Sequence, residues 1–109
     1  MALYAIDARI ILRCVKAKLL FHEKRIQADG AIIEMKIWRV PEPVPPTAHG
    51  LKYSLFYGFA GRRVVGFDNE RGLGDHMHID GQEHQYQFTT VEQLVTDFLA
   101  AVKRAGSGQ

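Results

Sequence analysis

Residues 28–39 read Ala-Asp-Gly-Ala-Ile-Ile-Glu-Met-Lys-Ile-Trp-Arg, and this stretch decides the fold. From residue 31 onward, alternate positions carry apolar side chains: Ala31, Ile33, Met35 and Ile37. The positions between them include Glu34 and Lys36, and successive residues of a strand point to opposite faces. The pattern therefore predicts a strand with one buried face. The Asp-Gly pair before it is a strong hairpin signal, so residues 18–26 and 31–39 are predicted to form a hairpin.

The chain beyond this hairpin predicts more strands after a stiff crossover. Residues 40–46 hold all four prolines, and proline cannot donate to a sheet ladder, so an extended connection is expected there. The next predicted elements are strands at residues 51–57 and 62–68 that turn at 58–61, a polar loop at 68–81 with a short strand at 76–79, and a last strand at 86–88.

A C-terminal helix is predicted to begin at Thr89 or Thr90, because Thr89 with Glu92, or Thr90 with Gln93, has the spacing of a capping box. Its apolar positions fall on one stripe: Val91, Leu94, Val95, Phe98, Leu99 and Val102. A sheet face is the surface available to bury this stripe. The predicted fold class is therefore α+β, an antiparallel meander of about five strands with a C-terminal helix packed on one face.

Length and composition fit one folded domain. The chain has 109 residues, of which 47% are hydrophobic, and this predicts a single domain at residues 18–109 after an N-terminal extension, helix or strand, at residues 1–17. Cys14 stands alone, which excludes an internal disulfide and fits a reducing compartment. There is no apolar run of the ~18 residues that a membrane span needs, and the first residues lack the basic start of a signal peptide. A cytoplasmic protein without a membrane partner is expected.

The segment with the densest titratable chemistry is residues 68–78, Asp-Asn-Glu-Arg-Gly-Leu-Gly-Asp-His-Met-His. His76 and His78 share a face if this stretch is extended, and histidine exchanges protons near neutral pH. Arg71 is predicted to hold a phosphate through its planar fork. Glu70 or Asp75 is predicted to orient a histidine. These five residues form a candidate catalytic set for cleavage of RNA without a metal ion.

The same residues allow different interpretations at this point. The segment is equally a surface loop with local ion pairs. A His-x-His pattern beside Asp75 or Asp80 is weakly suggestive of a metal site. Glu34 and Lys36, two apart on a strand, faintly resemble the acid-x-lysine pattern of metal-dependent nucleases.

A second set of residues is predicted to bind substrate. Trp38 is the main residue of this set, because an exposed indole can stack on a base or anchor a protein partner. The alternative is that Trp38 covers the helix or the proline segment. The full predicted set is Lys36, Trp38, Arg39, Lys52 and Asn69. No metal ligand and no cofactor is assigned.

Three blocks of the sequence resemble the TumE family of toxin–antitoxin proteins. They are residues 33–45 (IEMKIWRVPEPVP), 49–58 (HGLKYSLFYG) and 67–78 (FDNERGLGDHMH), and the last is the most specific. The resemblance covers about residues 18 to 104. The chain departs from the family pattern at Leu73 and Met77, where the family often has basic residues.

The resemblance implies a growth-inhibiting toxin that a helix-turn-helix antitoxin binds and silences, in a hetero-oligomer or with a homo-oligomer of the toxin. The leading hypothesis is inhibition of growth by metal-independent RNA cleavage, with RNA as a further partner. A second hypothesis is a non-enzymatic toxin that binds a cellular target through Trp38 and the proline segment. A metal-dependent nuclease is a third hypothesis, and a structural or DNA-binding accessory of the complex is a fourth.

Overall fold

A computed structural model describes residues 17–70 and 72–106. Within these residues the chain forms a six-stranded sheet followed by a helix. The elements are β1 (Lys18–Ile26), β2 (Ile32–Arg39), β3 (Leu51–Phe59), β4 (Arg62–Glu70), β5 (Gly74–Ile79), β6 (Gln82–Gln85) and α1 (Val91–Gly106). Each strand pairs antiparallel with the next, so the order in the sheet is the order in the sequence. The predicted α+β meander with a C-terminal helix is confirmed, with one strand more than expected.

The extra strand comes from the region that was predicted to be mostly loop. β4 continues to Glu70, and β5 already begins at Gly74. Asp80 and Gly81 both have positive φ, which suits the tight turn of a two-residue hairpin, and β6 follows at once. The last strand is therefore Gln82–Gln85, and the prediction of a strand at residues 86–88 is wrong. The predicted N-terminal extension lies outside the described residues, except for Ala17.

The helix covers one face of the sheet, which we call the helix face. Its buried residues are Ala31, Ile33, Met35, Ile37, Leu51, Tyr53, Leu55, Tyr57, Val65, Phe67 and Asn69 from the sheet, with Leu94, Phe98, Ala101 and Val102 from α1. Phe67 packs edge-on against Phe98, which seats the helix across β4. The alternation predicted for β2 is confirmed, because Ile33, Met35 and Ile37 are buried and the residues between them are less so.

We call the opposite side of the sheet the open face. Strand alternation and register place on it His22, Lys24, Glu34, Lys36, Trp38, Lys52, Ser54, Phe56, Gly66, Asp68, His76 and His78. Most of these side chains are polar and none is among the buried apolar core. The sheet therefore has an apolar face that packs against α1 and a polar face that α1 does not reach.

A bulge interrupts the pairing of β3 with β4. Tyr57 pairs with Val65, but Gly58 pairs with Arg63, so Val64 is an extra residue on β4. A bulge of one extra residue changes which face the following residues occupy. Arg63 therefore lies on the open face beside Gly58, although simple alternation from Val65 would place it on the helix face.

The proline segment closes one end of the sheet. Thr47 turns the chain by donating from its backbone N–H and its hydroxyl to the Val44 carbonyl, at 2.8 and 2.6 Å. The Pro45 carbonyl then accepts the Gly72 N–H at 2.8 Å, and the Pro46 ring fills the space beside Gly74. The predicted crossover thus fixes the turn between β4 and β5.

In residues 17–70 and 72–106, no helix has both the length and the apolar character needed to cross a bilayer.

Gly58→Ala is expected to destabilise the protein through the bulge. An added Cβ would lie 2.2 Å from the Arg62 carbonyl oxygen, and this backbone atom cannot swing away. Overpacking of this kind costs about 2 kcal/mol, and for a small domain this lowers the melting temperature by roughly 10 °C. Circular dichroism melting measures the change. Gly106→Ala is the control, because its Cβ would make only an ordinary contact at 3.5 Å with the Tyr57 hydroxyl. Equal melting temperatures for both variants would contradict the account.

Candidate functional site

The register of the sheet aligns one residue from each strand across the open face. This cross-strand row is His22, Lys36, Ser54, Asp68, His76 and Gln85, each paired with the next. Directly paired residues of antiparallel strands have side chains within contact distance. The row therefore brings together residues that are more than 50 positions apart in the sequence.

The closest contact in this row joins Asp68 of β4 to His76 of β5. His76 Nε2 lies 2.6 Å from Asp68 Oδ1, and both side chains are mostly buried, with 12% and 18% of their surface exposed. The other ring nitrogen, Nδ1, lies 2.9 Å from the Gly74 carbonyl oxygen. Both nitrogens of the imidazole are therefore engaged, one by the backbone and one by the carboxyl group.

This geometry is favourable only when the pair of Asp68 and His76 binds a proton. A carbonyl oxygen only accepts hydrogen bonds, so Nδ1 must carry a proton and donate it to Gly74. In a neutral imidazole, the Nε2 lone pair would then face a carboxylate oxygen at 2.6 Å, which is repulsive. A proton bound to either group, giving the imidazolium or the carboxylic acid, removes this repulsion. The protonation of Asp68 thus depends on that of His76, and we call the two residues the coupled pair.

The surroundings of Asp68 act on its charge in opposite directions. Burial raises the pKa of the Asp68 carboxyl, and the nearby charge of Glu70 adds to the rise. The positive charges of His76, Arg63 and Lys52 lower it, but burial prevails. Oδ1 is buried and accepts no hydrogen bond of regular geometry from a described residue, whereas Oδ2 lies on the side of the Arg63 guanidinium, 4.0 Å from Nη1.

His78 lies on the same face as His76, one cross-strand row away, where it pairs with Gly66. Its Nδ1 is buried and has no hydrogen-bond partner among the residues that the structure describes. A buried ring nitrogen without a partner is costly to keep, and such groups merit a functional explanation. The structure therefore brings the two predicted histidines together on one surface.

Asp75 lies on the opposite face and orients a different histidine. The Leu51 N–H donates to His49 Nδ1 at 3.2 Å, so Nε2 carries the proton that it donates to Asp75 Oδ1 at 2.9 Å. The Tyr53 hydroxyl donates to the same oxygen at 2.6 Å, and burial raises the Tyr53 pKa, so this hydroxyl stays protonated. The His49 ring packs on Phe88, with 4.2 Å between centroids. The cluster anchors the proline segment to β5.

Asn69 also faces away from the open surface. It is fully buried, its Oδ1 accepts the Tyr53 N–H at 3.0 Å, and its Nδ2 donates to the Leu51 carbonyl at 2.7 Å. These bonds continue the pairing of β3 with β4 beyond Ser54. Both polar atoms of the buried side chain are thus bound to the backbone of β3, and the substrate contact predicted for Asn69 is not part of the proposed site.

The remaining predicted residues occupy different places. Lys36, Trp38 and Lys52 lie on the open face, and Trp38 pairs with Lys52, away from the helix. Arg39 and Glu70 are exposed at the ends of β2 and β4. Arg71, which was predicted to hold a phosphate, lies outside the described residues.

A second ion-pair group lies at the β1 end of the open face. Glu34 Oε2 is 3.0 Å from His22 Nε2 and 3.8 Å from Lys36 Nζ. The hydrogen bond from His22 is the main reason that the pKa of Glu34 is lowered. These contacts explain the acid and lysine spacing of β2 as a local charge pair. In the part of the chain that the structure describes, no three His, Cys, Asp or Glu residues are grouped to hold a metal ion.

Sequence reasoning missed two residues of this site. Asp68 was seen as part of the polar segment, but its pairing with His76 follows from the antiparallel pairing of β4 with β5 in a region that the sequence had assigned mostly to a loop. Arg63 was missed because the bulge at Val64 reverses its face. Two glycines at 72 and 74 were the available signal for the hairpin turn.

Comparison with known proteins identifies one family. A family model described as toxin TumE matches residues 9–105, which is most of the chain and begins within the segment predicted to be an extension. Neither the curated proteins nor the solved structures contain a significant match.

Asp68→Asn tests the coupled pair through its effect on stability. Folding raises the pKa of this carboxyl, so the protonated carboxyl favours the folded state. The contribution of Asp68 to the free energy of unfolding of wild type therefore falls as the pH rises through the folded-state pKa. The Asn side chain does not titrate, and its N–H can donate to Nε2 of neutral His76. We expect the melting temperature of the variant, relative to wild type, to increase as the pH rises above about 4, the ordinary pKa of an aspartate.

Asp29→Asn is the matched control for this titration. Asp29 is exposed, and its role of accepting the Ala31 N–H at 2.9 Å can be taken over by an Asn oxygen. The melting temperature of Asp68→Asn minus that of wild type should therefore rise with pH. If this difference stays constant or falls, Asp68 is not held in the predicted pair.

Proposed function

The chain belongs to the TumE family and is the toxin component of a toxin–antitoxin system, and we propose that it inhibits growth by cleaving RNA at the open face of its sheet, without a metal ion. The observation that supports this proposal is the coupled pair on the open face, in which His76 Nε2 lies 2.6 Å from Asp68 Oδ1 and His76 Nδ1 lies 2.9 Å from the Gly74 carbonyl oxygen. A group that gives and takes a proton near neutral pH is what cleavage of RNA by its own 2′-hydroxyl requires.

The pair accepts a proton from the substrate at Asp68. Both nitrogens of His76 are engaged, and Oδ1 of Asp68 faces Nε2, so Oδ2 is the oxygen available to a ligand. With the shared proton on the imidazole, the carboxylate is a base whose basicity is increased by burial. His76 is then the positioning residue that stabilises the charge of Asp68.

The proposed reaction is a transfer within the RNA chain. Asp68 Oδ2 takes the proton of the 2′-hydroxyl, and the 2′-oxygen forms a bond to the adjacent phosphorus. The bond from phosphorus to the 5′-oxygen breaks, and protonated His78 gives its proton to that oxygen. The products are a 2′,3′-cyclic phosphate and a free 5′-hydroxyl, and exchange with water restores both groups. The face also offers Trp38 for stacking on a base and Lys36 and Lys52 for phosphates.

Family membership also implies an antitoxin partner. We propose that this partner is the helix-turn-helix protein that the sequence resemblance predicts, and that the two proteins form a hetero-oligomer in the cytoplasm, where the RNA substrate is found.

Cleavage of a single-stranded RNA oligonucleotide in the presence of EDTA tests the proposed activity. Wild-type protein is expected to cut the RNA and to leave a 2′-deoxy copy of it intact. Asp68→Asn, His76→Ala and His78→Ala are each expected to slow cleavage by about 100-fold or more, the usual contribution of general acid–base catalysis. Circular dichroism confirms that each variant is folded.

His84→Ala is the matched control, because His84 is exposed on β6 and pairs with Met77, whose side chain is on the helix face. Cleavage that survives Asp68→Asn at the wild-type rate, or cleavage of the 2′-deoxy copy, would refute the proposed chemistry. Growth inhibition with intact RNA would favour a toxin that acts by binding.

A further inference from the structure

Arg63 occupies a special position on the open face. The bulge at Val64 turns its side chain to the face that carries the Asp68–His76 pair, whereas Arg62, its neighbour in sequence, pairs with Phe59 and lines a cleft on the helix face with Val64 and Ala101. Two adjacent arginines therefore project from opposite faces of the same strand. Among the residues that the structure describes, Arg63 is the arginine whose guanidinium lies beside Asp68.

Gly66 is the reason that the Arg63 side chain can lie flat along the sheet. A Cβ at position 66 would be 2.6 Å from Cδ of Arg63 and 3.2 Å from its Nε. Real Cβ atoms do not approach other atoms so closely, so the aliphatic stem of Arg63 occupies the space that any other residue at 66 would fill. The stem is thus guided from the bulge toward Asp68.

The guanidinium is close to Asp68 without being bound to it. Nη1 lies 4.0 Å from Oδ2, which is too long for a hydrogen bond, and 40% of the Arg63 side chain is exposed. The contact provides electrostatic attraction but leaves the hydrogen-bond donors of the fork available. These donors match two oxygens of one phosphate group in a bidentate arrangement.

The geometry points to Arg63 as the residue that binds the phosphodiester group of the RNA at the Asp68–His76 pair. This inference rests on the proposed function and assigns its phosphate-binding group. A phosphate held by Arg63 would lie next to Oδ2 of Asp68, the atom that takes the 2′-hydroxyl proton. The guanidinium would also stabilise the negative charge that develops on the phosphate oxygens during transfer.

Binding of a fluorescent 2′-O-methyl RNA oligonucleotide tests the inference without interference from cleavage. Affinity is measured in EDTA over a series of salt concentrations for wild type, Arg63→Ala, Arg63→Lys and Arg62→Ala. Loss of a charge-assisted contact is expected to weaken binding by about tenfold in Arg63→Ala. The slope of log affinity against log salt should fall by about 0.7, the value for one phosphate contact to a single strand.

Further variants test which property of Arg63 is needed for binding. They distinguish the planar guanidinium from a positive charge alone, and the observed position of the side chain from its presence. Arg63→Lys retains the charge but not the planar fork, so its affinity should be intermediate. Gly66→Ala keeps Arg63 but displaces its stem, so it should weaken binding in the same way, with a melting temperature that shows a folded protein. Arg62→Ala has the same charge change on the opposite face, so its affinity and slope should stay close to wild type.

The outcomes distinguish the two proposals. If wild type binds and cuts RNA while Arg63→Ala and Gly66→Ala behave like Arg62→Ala, the role of Arg63 is refuted and the proposed function stands. If binding depends on Arg63 but no RNA is cut, the proposed cleavage is refuted and the phosphate contact stands. A wild type that neither binds nor cuts RNA refutes both.

Discussion

The structure depends on one constraint: a single helix in the described part of the chain must bury one face of a six-stranded sheet. The stripe of α1, with Phe98 at its centre, can cover only the helix face. The other face stays in contact with water, and strand alternation supplies it with histidines, acids and basic residues. The burial of apolar side chains on the helix face thus also concentrates polar side chains on the open face. There, the register of the strands brings together polar side chains from distant parts of the sequence.

The register turns this polar surface into a candidate site. Asp68 and His76 are partners across the β4–β5 hairpin, and the Gly74 carbonyl fixes the tautomer of the imidazole. The hairpin turn is in turn held by the proline segment, through the Pro45 carbonyl and the Pro46 ring. The proline segment therefore has a clear structural role, which is to support the strand end from which the Asp68–His76 pair is built. Its anchor on the helix face is the His49 cluster.

The sequence predicts the parts of this molecule that depend on local pattern. Alternation in β2, the Asp-Gly turn and the capped C-terminal helix each follow from neighbouring residues, and these elements are confirmed. The arrangement of the site depends on non-local pairing, which alternation alone does not specify. A bulge of one residue, Val64, places Arg63 on the open face, and the register of β5 sends Asp75 to the helix face while His76 meets Asp68. Composition singled out residues 68–78 as a candidate segment, and the register shows which of its side chains meet.

Nuclear magnetic resonance of the imidazole nitrogens of His76 tests the central claim most directly. The account predicts that Nδ1 is protonated across the neutral range, because it donates to the Gly74 carbonyl, and that Asp68 and Nε2 together hold one further proton until the pair releases it. Asp68→Asn should leave Nδ1 protonated and convert Nε2 to an acceptor. Exposed His84 provides a reference spectrum from the same sample. A His76 that carries its proton on Nε2 with Nδ1 unprotonated would contradict the account.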